Sequence, residues 1–294
     1  MPPTLFDSNS LRTGVVGPYQ NRDRRIIDYQ QVVLGGHPFR GPLPQRMYSK
    51  EKLSFLGAAQ TFGRFVRVPF PTILGSLFNL DVLNLGYAGA GASFYLSKPY
   101  LLSQAAGARA VVVQAMSGRS CANSVFDAPE GRNVLVRRSD GKIMTDGPGY
   151  RWVLETFGSD RAIAVVRETQ ARWVEETIAL AKALPIPKVL FWFSVRETAF
   201  APSGEGLTAL MGEFPHFIST EMLAEVRPYF DGYAECVSRR GLPHPLRDRY
   251  TGEAVEVDFA GSVRSTNHYY PSAQMHLDAA VALDEPLRLI LAAR

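Results

Sequence analysis

Lys52-Leu53-Ser54-Phe55-Leu56-Gly57-Ala58-Ala59-Gln60-Thr61-Phe62-Gly63 is a short apolar run that stops at a turn bounded by two glycines. The same grammar recurs along the chain. Val82-Leu83-Asn84-Leu85 ends at Gly86, and Ala110-Val111-Val112-Val113-Gln114-Ala115 is β-branched and nearly all apolar. Lys188 to Phe193 follows Pro185 and Pro187, and Gly232 to Val237 supplies a fifth run. Continuous apolar runs of this length suit strands buried on both faces of a parallel sheet. Helical patterns fall between them. The clearest spans 159–184, where Asp160 is placed to cap and Ile163, Val166, Trp173, Val174, Ile178 and Leu180 give one apolar face. Residues 218–228 and 271–284 are expected helices too, with Pro271 in the first turn of the latter. Strands alternating with helices, joined by right-handed crossovers, predict an α/β domain with a mostly parallel, doubly wound sheet.

Residues 1–50 read differently. Pro18-Tyr19, Pro38-Phe39-Arg40-Gly41-Pro42 and Pro44 mark turns and extended pieces. An arm is expected here, packed on the domain of 51–294 or exchanged with a second subunit in a homo-oligomer. The chain has 294 residues, 46% hydrophobic and 20% charged, enough for a sizeable core. The net charge of +4 is mild, and the cluster Arg22, Arg24, Arg25 is short and mixed with Asp23, which argues against nucleic-acid binding. Cys121 and Cys236 alone make neither a disulfide framework nor a zinc site, and no His/Cys/Asp cluster has metal-ligand spacing. Met1 to Gly14 lacks a basic segment followed by an apolar run, and no apolar stretch approaches the ~20 residues of a membrane span. A cytoplasmic protein without membrane contact is the expectation.

In an open α/β sheet, ligands bind beyond the carboxyl ends of the strands. The segments there are Gly57–Gly63, Gly86–Ser93, Met116–Ser124, Ser194–Thr198 and Thr266–His276. Their order resembles the SGNH (GDSL-type) hydrolase superfamily over residues 52–285. Gly57-Ala58-Ala59-Gln60-Thr61-Phe62-Gly63 matches the family's Gly-Asp-Ser-x-Thr-x-Gly in its glycines and its Thr. Gly86 or Gly89 corresponds to the second-block glycine, Met116-Ser117-Gly118-Arg119 to the third block, and Asn267-His268-Tyr269-Tyr270-Pro271 to the terminal Asp-x-x-His-Pro. The resemblance implies a flavodoxin-like three-layer sandwich. It also places Ala59 at the nucleophile, Asn267 at the orienting Asp and Tyr270 at the catalytic His, so the implied triad is degenerate. The overall pattern is similar to an uncharacterised group of bacterial proteins. The Gly-x-x-Gln turn is similar, too, to capsule-biosynthesis proteins with Gly-Asn-Cys-Gln there, thought to be coenzyme-A-binding transferases; here Ala59 stands at the Cys.

The remaining chemistry lies in the loops. Arg119 offers a planar donor fork for an anion, joined by Arg196 at the end of the next strand. Ser117, Ser120 and Asn123 can bond the same group, or cap a helix, and Gln60 and Asn123 can act as oxyanion donors. Thr61, Gly86 and Gly89 complete the expected binding set. His268 is the candidate acid/base, with His276 an alternative; His216 and His244, beside prolines, read as loop residues. Ser120 or Cys121 is a candidate displaced nucleophile, although a buried Cys is also an ordinary core residue. Gly86-x-x-Gly89-x-Gly91 is not the dinucleotide fingerprint, and no P-loop occurs, so no cofactor is expected. The expected function is group transfer or hydrolysis on a small-molecule or glycan-linked, anionic substrate without the usual triad. The alternatives are a non-catalytic binding protein on a hydrolase scaffold and a hydrolase with a relocated nucleophile.

Overall fold

The computed structural model describes residues 18–259 and 262–293. The central sheet has five strands: β1 (Lys52–Gly57), β2 (Asp81–Gly86), β3 (Ala110–Gln114), β4 (Lys188–Ser194) and β5 (Gly232–Val237). All neighbours are parallel and the order is β5-β4-β3-β1-β2. Leu53 pairs with Val82 on one side and with Ala110 on the other. This is the flavodoxin-like order, whose switch point lies between β1 and β3. Every residue of β1 and β3 is buried, as strands covered on both faces must be.

Five helices cover the sheet: α1 (Phe70–Phe78), α2 (Pro99–Ala106), α3 (Asp146–Lys182), α4 (Thr220–Val226) and α5 (Ala273–Ala292). Side-chain alternation sorts the two layers. Leu53, Phe55, Val112, Val189 and Phe191 face α1 and α5. Leu56, Val111 and Val113 face Leu101 and Ala105 of α2 and Leu180 of α3. Leu190 and Trp192 meet Trp173 and Val174 of α3 and Met222 of α4. The structure is the three-layer α/β sandwich that the sequence predicts.

Several boundaries differ. The helix over 159–184 is the second part of the longer α3, broken at Gly158, whose φ of 78° no helix accepts. That break puts Asp160 inside the first turn of the second segment, not at its cap. The helix over 218–228 ends at Val226 and tightens into a 3₁₀ turn at Arg227–Tyr229. Pro271 lies outside α5, because Ser272 is the cap; its hydroxyl accepts the N–H of Met275 at 3.2 Å. Between β3 and α3 the chain adds a small antiparallel sheet of Phe126–Asp127, Val134–Arg137 and Ile143–Thr145, absent from the sequence reading. None of the described helices is long and apolar enough to cross a membrane.

Candidate functional site

The turn after β1 is built by close approach. A Cβ on Gly57 would fall 2.1 Å from Thr61 Oγ1, and one on Gly86 would fall 2.2 Å from the backbone nitrogen of Phe62. Only glycine lets these segments touch. Gln114, at the end of β3, fastens the turn: its Oε1 accepts the N–H of Ala58 at 3.1 Å and the hydroxyl of Thr61 at 2.6 Å. Asn84 donates to the carbonyl of Thr61 at 2.9 Å. The buried hydroxyl of Tyr95 accepts the N–H of Gly57 at 3.0 Å and points at the carbonyls of Gly57 and Leu85, both at 2.7 Å.

This lattice supports a cavity of about 90 Å³ beyond the carboxyl ends of β1, β2 and β3. Ala58, Ala59 and Gln60 line it from the first turn, and Ala88, Gly89 and Ala90 from the second. Ser117, Arg119 and Ser120 enter from the loop after β3, with Asn133 and Phe214 beside them. Tyr19, Tyr269 and Tyr270 close it with aromatic rings. The volume is worth about three waters.

Arg119 forms an ion pair with Asp146 at 2.9 Å. Burial alone would lower its pKa, but Asp146, then Tyr269, Tyr270 and Tyr19, hold it above the ordinary arginine value. The cation therefore persists, while its charge is already balanced. Its Nε is buried with no hydrogen-bond partner among the described residues, and so is Oε1 of Gln60. Two residues that line the cavity thus each hold a buried polar atom without a protein partner.

A second, deeper network stands behind Tyr270. Arg64 holds Asp23 through two bonds of 2.8 and 3.0 Å, both side chains buried. Its Nη1 donates to the hydroxyl of Tyr270 at 3.0 Å, and its guanidinium lies over the rings of Tyr19, Phe65 and Tyr270. The hydroxyls of Tyr19 and Tyr270 are 3.4 Å apart. Burial, then Tyr270, raises the pKa of Tyr19 well above the ordinary phenol value, so it stays protonated.

The structure brings Gln60, Gly89, Ser117, Arg119, Ser120 and Tyr270 to the cavity wall. Thr61 and Gly86 lie one layer below and serve the turn. Arg196 is directed elsewhere: it donates to the carbonyls of Glu213, Glu197, Pro215 and Ile218 at 2.6–3.0 Å. Burial pulls its pKa down to about 10. It is a loop clamp, not an anion clamp. Asn123 donates to Tyr150 and Thr169 of α3 and accepts the N–H groups of Val125 and Phe126, which spends its amide on tying the small sheet to that helix. Cys121 is buried, its Sγ 3.5 Å from Glu176; burial and that carboxylate push its pKa well up, the opposite of an activated thiol. Ser120 donates its proton to the carbonyl of Gly89 at 2.8 Å. His268 is exposed and absent from the cavity lining. Asn267 folds its own turn, accepting the N–H groups of Tyr269 and Tyr270 and donating to the carbonyl of Tyr270 at 2.7 Å. His276 is stacked on Phe70, and its Nδ1 accepts the N–H of Phe70 at 3.1 Å; burial, then Arg40, pulls its pKa down to about 3. No cluster of three metal-ligating side chains occurs among the described residues.

The sequence reading missed Asp146, Arg64, Asp23 and Tyr19. It also passed over His216, which reaches the cavity through Ser117. The hydroxyl of Ser117 lies 3.2 Å from His216 Nδ1 and accepts the backbone N–H of His216 at 3.1 Å.

A family model described as "Domain of unknown function (DUF6473)" matches residues 18–140 and 153–291. No curated protein sequence matches the chain. Solved structures similar to it include a carbohydrate esterase family 2 enzyme of Myceliophthora fergusii with its carbohydrate-binding domain, at 11% identity and a TM-score of 0.40, covering 88% of this chain and 70% of that one. The acetylxylan esterase Axe2 of Geobacillus stearothermophilus is 11% identical with a TM-score of 0.38, covering 83% and 96%. A family two carbohydrate esterase from Cellvibrio japonicus is 14% identical with a TM-score of 0.37, covering 88% and 66%.

Proposed function

Because the chain belongs to the family described as a domain of unknown function, DUF6473, we infer its activity from the cleft itself: SGNH-like hydrolysis or group transfer on a small carbohydrate-linked or anionic compound, without a Ser-His-Asp set at positions 59, 267 and 270. One observation carries this reading. Arg119 and Gln60 both line one cavity at the switch point of the sheet, and each keeps a buried polar atom, Nε and Oε1, without a hydrogen-bond partner among the described residues. Leaving such groups unpaired costs about 1–3 kcal/mol each, so a ligand that satisfies both is favoured. A sugar hydroxyl offers both a donor and an acceptor, while an ester carbonyl offers the acceptor alone. Three tyrosine rings add flat faces of the kind sugar rings stack on. Asp146 already balances Arg119, which favours a neutral carbohydrate-linked ester over a strongly charged anion.

The test is hydrolysis and binding assays with p-nitrophenyl acetate and an acetylated oligosaccharide panel on wild type, Gln60→Leu and Arg119→Lys. Lysine keeps a cation beside Asp146 but removes the Nε–H. Both variants are expected to fold and to lose at least about tenfold in affinity or kcat/KM, since about 1.4 kcal/mol is tenfold. Unchanged binding and turnover in both would remove the cleft as the site. A second reading, a binding module without turnover, is favoured by Ala59 and by the structural use of the Asn267 amide; tight binding with no product under any condition would select it.

A further inference from the structure

We propose that Ser117 and His216 are a relocated nucleophile and base, and that they perform acyl transfer in the cleft. The assignment rests on the cleft reading above and deepens it. Ser117 lines the cavity, directly after β3. Its oxygen already accepts the backbone N–H of His216 at 3.1 Å. With the imidazole proton on Nε2, the hydroxyl hydrogen is directed at Nδ1, 3.2 Å away. That is the nucleophile-to-base distance hydroxyl activation needs. The two other candidates fail on the same criterion: Ser120 spends its hydrogen on the Gly89 carbonyl, and Cys121 is buried beside the carboxylate of Glu176.

The imidazole is neutral in the resting fold: burial, then Arg119 and Arg196, pulls its pKa well below the ordinary histidine value, which also makes it a weak base, so the proton it takes up passes on directly to the leaving group. Its loop is fixed from three sides. Arg196 grips the carbonyls of Glu213, Pro215 and Ile218, Ser194 donates to the carbonyl of Phe214 at 2.6 Å, and Gly118 donates to the carbonyl of His216 at 3.0 Å. These bonds fix the backbone that carries the ring, and no carboxylate is bonded to the imidazole among the described residues.

The step balances as follows. Ser117 Oγ attacks the ester carbonyl carbon while its proton passes to His216 Nδ1. The carbonyl oxygen takes up negative charge in the cavity that the Arg119 cation lines. Collapse breaks the bond to the leaving alcohol, which takes the proton from Nδ1. The product is acyl-Ser117 and a free alcohol. Water, or a second alcohol, then attacks the acyl group by the same proton path and restores Ser117.

A fluorophosphonate probe on the full-length protein, with peptide mass mapping, tests the pair. The expected adduct is on Ser117 and is absent in Ser117→Ala. His216→Asn is the decisive variant. Its amide oxygen can accept the Ser117 hydrogen where Nδ1 does, so a structural role survives, but it cannot carry the proton away. Labelling and p-nitrophenyl acetate turnover are expected to fall at least about 100-fold, the usual contribution of a general base, with an unchanged melting temperature. Full labelling in His216→Asn, or an adduct at another residue, overturns the proposal. If wild type stays unlabelled while Gln60→Leu and Arg119→Lys weaken ligand binding, the dyad falls and the cleft stands. If Ser117 is labelled and both those variants behave as wild type, the dyad stands and the ligand-binding roles of Gln60 and Arg119 fall.

Discussion

At the scale of single residues, Arg119 shows how a correct position can carry a changed role. The sequence places it in the loop after β3 as an anion fork. The structure keeps the place but spends the charge on Asp146, itself buried. Removing one partner of such a pair leaves an uncompensated charge, at a cost of about 3–5 kcal/mol. Arg119→Ala is therefore expected to lose that much stability in urea unfolding, rather than binding alone. Arg119→Lys is expected to stay within about 1.5 kcal/mol of wild type. Equal stability of the alanine variant and wild type would mean that the pair is not formed. Ser117, Ser120 and Gln60 were legible, because polar residues at strand ends have few places to go but the edge of the sheet. His216 was not, since its partner is 99 positions away and only the clamped loop brings them together. The alanine at position 59 was plain in the sequence, and so was the missing acid at 267. That Asn267 ties its own turn is a property of the folded loop, not of its residue type.

At the scale of elements, the strands were legible and their insertions were not. Runs such as Ala110 to Val113 are apolar on both faces, a pattern short connecting segments do not produce. The strands of the small antiparallel sheet are two to four residues long, too short for any period to register. The first turn is the element that position 86 controls. Gly86→Ala would drive a Cβ to within 2.2 Å of the Phe62 nitrogen, which is backbone and cannot rotate away. The expected loss is about 1–3 kcal/mol, read as a lower melting temperature together with weaker ligand binding. Helix α5 carries the pH dependence. His276, on its first turn, is neutral in the fold down to about pH 3, whereas an unfolded histidine titrates near 6.5. The unfolded chain binds the extra proton in that window, so stability falls as pH drops below about 6.5 and is retained above it. The slope is about 1.4 kcal/mol per pH unit for this one group. His216, shifted in the same direction, adds to it. His276→Leu is expected to flatten the slope of unfolding free energy between pH 4 and 6 by about one proton, and an unchanged slope would place the acid sensitivity elsewhere.

At the scale of the molecule, the strand order sets where the cavity falls, and residues 18–50 set how it is closed. The order β5-β4-β3-β1-β2 opens a crevice between β1 and β3, and the cavity sits there. The sequence located that edge through the turn Gly57–Gly63 but left 1–50 as an arm of uncertain attachment; residues 1–17 of it lie outside the described residues. The described part reaches back onto the turn. Arg40 donates to the carbonyls of Phe62, Gly63 and Arg67, and Asp23 pairs with Arg64 in the interior. Tyr19 from the same segment completes the cavity wall. The segment therefore belongs to the site's architecture, and Asp23 and Arg64 hold it there as a charge-balanced unit. Asp23→Asn should strand the Arg64 cation and cost about 3–5 kcal/mol. The double change Asp23→Asn with Arg64→Met removes both charges, so much of that loss is expected to return, as it does when buried pairs are replaced by apolar groups. Ligand affinity is not expected to return with it, because Tyr270 loses the donor that orients its hydroxyl. Recovery of stability without recovery of binding separates the two roles of the pair. Recovery of both would mean that Tyr270 is positioned by packing alone and that the 18–50 segment serves the fold rather than the site.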